Sequence, residues 1–425
     1  MPRLHPRLTG PLLPALLGLA LLLPATHTHA IEFDVSLTLE GIFHKRFDGR
    51  EREPAGFGHD HDDDHGHHHD HDHDHSLKNG FNAGHSELGL RARTDWLDAW
   101  VMVGFDDKHV DIEEAYLATR ALPAGLRLKA GKFLSDIGYI NNRHPHDWDF
   151  VQRPLVNEYL IGHHGLLDKG VQLSITPPTA HYTHFGVELL RGSGEGPDRY
   201  DRGGYFRKKA MPRLITAYAK YGPELGNNHA LQLGASVAHA RQYTRVDDHG
   251  DHKHSVEGDS WLFGLDAVYR YEAGRAYGQG DWRIGGEYYV VRRDLRARGY
   301  SRTQGWRVNP ARFRERQDGF YLEAVYGFAP RWQVGARAEA IGLNNRIVKF
   351  HPTTVGGEDA SWRYSLQTTW RPRETVFVRG QLNHERFAAA RAHGHGHGGD
   401  ARRKGSWSFM LQLNALFGSH PAHRF

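Results

Sequence analysis

The chain has no cysteine among its 425 residues, which removes disulfides and thiolate metal sites at once. Long apolar runs are missing too. Beyond residues 12–23, no segment approaches the ~20 apolar residues of a spanning helix, and a mean hydropathy of −0.64 excludes a bundle of such helices. Charge bias is weak, at +4 with histidine neutral, which gives no electrostatic footprint for nucleic acid. There is no Gly-rich phosphate loop, no His-Glu-x-x-His and no Gly-x-Ser-x-Gly, so no enzyme is expected.

What is present begins with an export signal. Arg3 and Arg7 form a positive region, residues 12–23 an apolar core, and Thr28-His29-Ala30 a cleavage site with small residues at both ends. Residues 1–30 are therefore predicted to be a signal peptide, and residues 31–425 the mature protein. Cleavage after Ala25 is the alternative and would leave His27 and His29 on the chain.

Periodicity then sets the fold class. Ile31, Phe33, Val35, Leu37 and Leu39 alternate with Glu32, Asp34, Ser36, Thr38 and Glu40. The same period of two returns in Trp362, Tyr364, Leu366, Thr368 and Trp370, and again from Trp407 to Phe417, with aromatics near the strand ends. Glycine is abundant (49 residues) and aromatics make up 11%. The pattern predicts an all-β fold, a transmembrane antiparallel β-barrel with aromatic girdles, in preference to a soluble sandwich. The expected strands are 31–43, 80–93, 97–106, 110–120, 126–133, 170–177, 181–191, 213–221, 230–244, 260–272, 281–294, 318–328, 331–343, 361–371, 375–387 and 405–418, about sixteen in all. The segment 110–120 is the least regular of them. Short links rich in Pro and Gly, such as Gly222-Pro223 and Ala329-Pro330, are assigned to the periplasmic end, and long links to the extracellular end.

The densest chemistry lies in residues 59–75. Apart from Gly66, every residue there is histidine (His59, His61, His65, His67, His68, His69, His71, His73, His75) or aspartate (Asp60, Asp62, Asp63, Asp64, Asp70, Asp72, Asp74). Such a tract cannot bury apolar surface and is expected to be a disordered extracellular loop. Imidazole nitrogen and carboxylate oxygen together suit Zn²⁺, Ni²⁺, Co²⁺ or Cu²⁺, and the overlapping spacings predict a distributed trap with no single tetrahedron. By strand parity three further links fall at the same end. Residues 244–259 carry His249, His252 and His254; residues 388–404 carry His393, His395 and His397; residues 134–169 carry His144, His146, His163 and His164. The last is long enough to fold into the lumen and constrict it, with a second metal station. Ligand histidines must be neutral, so binding by the rim tract should fade as pH falls through about 6.5.

Along the strands, Arg91, Arg93, Arg127, Lys129, Arg283, Arg337, Arg363 and Arg379 share the inward face and are expected to line a polar pore. With Arg270 they outnumber the acidic residues on the same face, Glu87, Asp266, Glu287, Glu323 and Glu339, and that excess would suit an anion or a metal carried in an anionic complex. The same rows could instead simply brace the wall.

Ala130-Gly131-Lys132-Phe133 closing a strand, then Arg153-Pro154 and Asp168-Lys169-Gly170, resemble the phosphate-selective porin O and P group. The His/Asp tract and the ending from Leu416 to Phe425 resemble the zinc-regulated outer-membrane proteins sometimes labelled TonB-dependent receptors. The first resemblance implies a passive diffusion channel, often a trimer; the second implies zinc uptake. The chain is too short to hold a plug domain inside a larger transporter barrel. The expected partners are outer-membrane lipid and lipopolysaccharide, the barrel-assembly machinery and a homotrimer, with no nucleic acid. The expected location is the outer membrane of a Gram-negative cell. The leading expectation is a channel that takes up a divalent transition metal, zinc first. Its alternative is an anion-selective, phosphate-like porin whose loops only buffer or sequester metal.

Overall fold

The computed structural model describes residues 31–48, 53–57, 77–192, 194, 196–201, 204–205, 211–248, 251–350, 353–388 and 405–418. The tract 59–75, residues His249, His393, His395 and His397, and the predicted signal peptide lie outside them.

Strands follow one another as β1 (Glu32–Arg46), β2 (Gly80–Asn82), β3 (Ser86–Arg93), β4 (Leu97–Phe105), β5 (Val110–Thr119), β6 (Leu126–Leu134), β7 (Leu167–Ile175), β8 (Tyr182–Leu190), β9 (Leu214–Gly222), β10 (His229–Asp248), β11 (His252–Tyr271), β12 (Trp282–Ser301), β13 (Gly305–Ala329), β14 (Trp332–Phe350), β15 (Thr353–Gly357), β16 (Ser361–Arg373), β17 (Val376–Arg386) and β18 (Ser406–Gly418). All pairings between them are antiparallel, and β18 pairs with β1, so the sheet closes. Both β2 and β3 pair with β1, and both β15 and β16 with β14. Each pair is one interrupted stave, so the eighteen segments make a sixteen-stave barrel.

The wall is oily outside and polar inside. On β1, Phe33 is 73% exposed while Ser36 and Thr38 are 3% and 2% exposed. On β16, Leu366 faces out while Arg363, Ser365, Gln367 and Thr369 are buried. A soluble sandwich would reverse these faces; lipid around a barrel explains them. Aromatics ring both ends of the apolar band. Trp282 stacks on Tyr326 at 4.4 Å and Trp332 on Trp370 at 5.9 Å at one end; Trp261 and Trp362 stand at the other.

The wall is uneven. Strands β3 to β9 run 8–10 residues, whereas β10 to β14 run 19–25. This corrects the expected loop 244–259. The ladder continues from Tyr243↔Gly258 to Asp248↔Lys253. The β-branched and aromatic run Tyr243-Thr244-Arg245-Val246 favours pairing over the solvated loop that its histidines suggested. His252 and His254 therefore stand on β11, with the His254 ring 6.1 Å from Phe350.

Residues 135–166 leave β6 and fold into the lumen. Tyr139 and Ile140 donate backbone N–H groups to Glu287 on β12, and Leu155 N donates to Glu339 on β14 at 2.7 Å. Val151 N reaches Gln381 on β17 at 2.7 Å. Gly138 sits at φ +63°, where any side chain would run into the Tyr289 hydroxyl and Glu287; glycine is what lets the chain lie against that wall. Ile137, Tyr139, Ile140, Leu155, Val156, Leu160 and Ile161 pack with Leu262, Tyr289, Val291 and Ile341 into the main apolar cluster. Residues of this segment thus make up much of the main apolar cluster inside the barrel.

Candidate metal centre

One irregularity in the wall builds the site. Between β4 and β5 the register shifts: Met102 pairs with Glu114, but Val103 pairs with Ile112. Glu113 is the extra residue of a β-bulge, so two consecutive glutamates turn toward the interior instead of one. Gly104 on β4 leaves the room, because a Cβ there would fall on the Glu113 carboxylate. Across the ladder Glu87 on β3 faces Gly104, and His85 precedes the same strand. The lumenal loop supplies His144 and His146 around the one-turn segment Pro145–Asp147.

These side chains converge. His85 Nε2 is 2.7 Å from Glu113 Oε1 and 3.2 Å from Glu87 Oε1. His144 Nδ1 is 3.1 Å from Glu87 Oε1 and 3.6 Å from Glu113 Oε2, and its Nε2 is 3.3 Å from Glu114 Oε2. His146 Nδ1 lies 3.2 Å from Glu87 Oε2, and its ring stacks on His144 at 5.9 Å. Among the described residues, His85, Glu87 and Glu113 offer three donor atoms that all lie within 4.8 Å of one another. A tetrahedral Zn²⁺ with ~2.0–2.1 Å bonds sets its ligand atoms about 3.3 Å apart, so most of these separations already resemble coordination edges. Without a metal the same spacings suit protonated imidazoles on carboxylates. Burial would lower the pKa of His144, but Glu87, helped by Glu113 and Glu114, raises it well above the usual histidine value.

The cluster stands between two spaces. His85 is about one-third exposed on the side of the long links, whereas Glu87 is buried at 1%. Below it, Glu114 and His144 form part of the lining of a cavity of about 700 Å³ that runs to Leu122, Gly125 and Thr176 at the short-turn end. Arg91, Arg93, Arg127, Lys129 and Lys220 line that cavity with Asp98 and Asp136. Arg91 pairs with Asp98 at 3.1 Å, and Lys129 is 3.9 Å from Asp136.

Of the sequence candidates, His144 and His146 meet in this cluster. His163 and His164 do not: both are exposed, and His163 lies 3.7 Å from Glu158. Four expected pore-lining arginines face inward but meet packed protein. Arg337 donates to Gln152 O (2.9 Å) and Arg363 to Arg153 O (2.7 Å), with Glu339 bonded to both. Arg283 pairs with Asp149 and Glu323, and Arg379, only 1% exposed, bonds Gln412 and Thr369. They clamp the lumenal loop or brace the wall, because a buried guanidinium must find acceptors and the loop's carbonyls supply them. Sequence reasoning misses His85, Glu113 and Glu114, and gives Glu87 only an inward face. The signal was there in weak form: an acidic pair in the one strand whose alternation faltered.

No known protein-family profile matches the chain. An uncharacterised protein of Aquifex aeolicus is 29% identical over 366 residues, covering 82% of this chain and 71% of that one. Among solved structures, the outer-membrane channel DcaP of Acinetobacter baumannii is similar with a TM-score of 0.56 at 11% identity, over 91% of this chain and 98% of that one. The trimer form of OmpT, an outer-membrane protein of Vibrio cholerae, gives 0.52 at 12% identity, over 91% and 100%. At these identities the likeness is one of fold, and the fold is the barrel of bacterial outer-membrane porins.

Proposed function

We propose that this chain is an outer-membrane channel for uptake of a divalent transition metal, zinc first among them, gathered by His/Asp-rich extracellular segments and handed through the lumen. The observation that carries this is the His85, Glu87, Glu113, Glu114, His144 and His146 cluster between the rim side and the lower cavity. Three described segments that flank the His-rich stretches 59–75 and 393–397 support it. Residues 46–48, 77–79 and 386–388 all stand at the end of the barrel where β6 releases the lumenal loop. Imidazole and carboxylate donors bind the metal, and its arrival displaces the protons that hold the cluster together otherwise. Below the cluster, the basic cavity wall repels a bare cation, so the metal leaves by exchange onto an anionic carrier or by release from Glu114. The porin likeness agrees with passive passage and with assembly as a homotrimer. Zinc uptake into liposomes holding the full refolded barrel tests the reading: Glu87→Gln together with His144→Gln should abolish zinc entry while chloride conductance persists.

The cavity favours a second reading, an anion-selective porin whose histidines only buffer metal. Arg91, Arg93, Arg127, Lys129 and Lys220 outnumber Asp98, Asp136 and Glu114 there. Reversal potentials across planar bilayers separate the two: strong anion selectivity, together with unaltered zinc flux in the double variant, would favour the second.

A further inference from the structure

The outer surface of the long-strand wall carries charge where a barrel usually does not. On β12, Arg292 and Arg296 point outward and are exposed; on β13, Arg312, Arg314 and Arg316 do the same; on β14, Arg346. Register places Arg292 opposite Arg316, and Arg316 opposite Arg346, so three guanidinium groups lie side by side across three strands. Two residues further along, Arg314 pairs with Asp294 at 3.3 Å; beyond that, Arg296 again faces Arg312. Like charges directly opposite in a ladder are destabilising. The acidic groups facing this surface do not relieve the row. Asp294 is held by Arg314, Asp259 lies 3.7 Å from His239, and Asp318 accepts from Asn344 N at 2.6 Å and from Tyr288 at 3.0 Å. Arg292 leans over the Phe263 ring at 6.0 Å. Among the described residues, no carboxylate pairs with Arg292, Arg316 or Arg346.

Height along the wall identifies the occupant. Trp282 marks one aromatic girdle, and Arg292 lies ten residues further along the same strand. Ten residues rise ~34 Å along a strand, and at a ~45° tilt that is about 25 Å of height, the thickness of the apolar band. The arginine row, level with Trp261 by register, therefore sits at the boundary where lipid headgroups begin, at the end bearing the long links. A guanidinium fork matches two phosphate oxygens, and three in a row match a headgroup carrying more than one phosphate.

We propose that the outward face of β12, β13 and β14 at this boundary binds the phosphate groups of lipopolysaccharide in the outer leaflet. Below the row, Leu322, Leu343 and Phe263 are exposed to take its acyl chains. The site is independent of the metal reading, because none of its residues touches the lumen.

The test uses the full refolded barrel in detergent, titrated with lipopolysaccharide and with its dephosphorylated form, and read by native mass spectrometry. The wild type should bind the phosphorylated form at least about tenfold more tightly. Arg292→Gln, Arg316→Gln and Arg346→Gln together should remove that preference, and the matching triple lysine variant should keep most of it. Inorganic phosphate should compete only at far higher concentration than the lipid. An unchanged β-sheet circular-dichroism spectrum and unchanged single-channel conductance in the glutamine variant certify its fold. Equal binding of both lipid forms by the wild type would overturn the proposal. So would a folded glutamine variant that binds lipopolysaccharide undiminished, including one whose only change is in oligomeric mass.

Discussion

The lumenal loop is tied to the barrel at two places by opposite chemistries. On the long-strand side, Glu339 sits between Arg337 (2.7 Å) and Arg363 (3.0 Å), and both arginines hold loop carbonyls. On the short-strand side, Glu87, Glu113 and Glu114 hold His144, with His85 and His146 beside them. Guanidinium stays protonated and has no lone pair for a metal, so the first tie is permanent. Imidazole, unlike guanidinium, can yield its proton to a competing metal ion, and the freed nitrogen is a ligand. One loop is thus anchored by a fixed clamp and by a tie that a divalent ion could replace.

The largest difference between the two ties should appear on cutting them. Glu339→Ala takes from the buried Arg337 and Arg363 the carboxylate they share, and should cost about 3–5 kcal/mol in denaturant unfolding. It should also raise single-channel conductance as the loop loosens. A variant as stable as wild type would show that the clamp is incidental. Glu87→Gln with His144→Gln removes shared ligands instead. In a chain lacking residues 59–75 and 393–397, zinc affinity by calorimetry should fall on the order of 100-fold, at the upper end of the 10–100-fold that loss of a ligand's supporting partner costs. Undiminished affinity would place the metal elsewhere.

Acidity should separate the ties further. His144 has a raised pKa in the folded chain, so its pairing with Glu87 stabilises the loop fully below the ordinary histidine value and is lost as pH rises through the higher folded value. Protons therefore compete with metal at this cluster at higher pH than in the rim tract. Zinc affinity of the loop-deleted chain should rise about tenfold per pH unit between 6.5 and 8.5 for each proton displaced. The Arg337–Glu339–Arg363 tie should not respond over that range; a flat zinc profile would contradict the assignment. The smallest effect concerns the cavity wall. Arg127→Gln removes one of several cavity cations and should shift the reversal potential toward cations by less than about twofold in permeability ratio.

Much of the architecture was legible in the chain. Alternation such as Phe33-Asp34-Val35-Ser36 is decisive by itself once its faces are placed, because only lipid rewards an oily outside around a polar inside. All sixteen expected strands have counterparts. Two things were not. Residues 244–259 looked like loop because histidine and aspartate dominate its middle, yet cross-strand pairing decided otherwise. His85 and Glu113 were invisible because a bulge changes which face a residue shows, and one strand read alone does not reveal its partner's register. Whether an arginine such as Arg337 or Arg363 meets water or packed chain depends on where residues 135–166 come to rest, which no strand pattern reveals.

The central claim is that the imidazole–carboxylate cluster passes metal while the barrel remains an ordinary pore. Zinc entry and chloride conductance, measured in the same liposomes for wild type and for Glu87→Gln with His144→Gln, test it most directly. Zinc entry should be lost in the variant while its chloride conductance is retained. Equal zinc entry in the two proteins would contradict it.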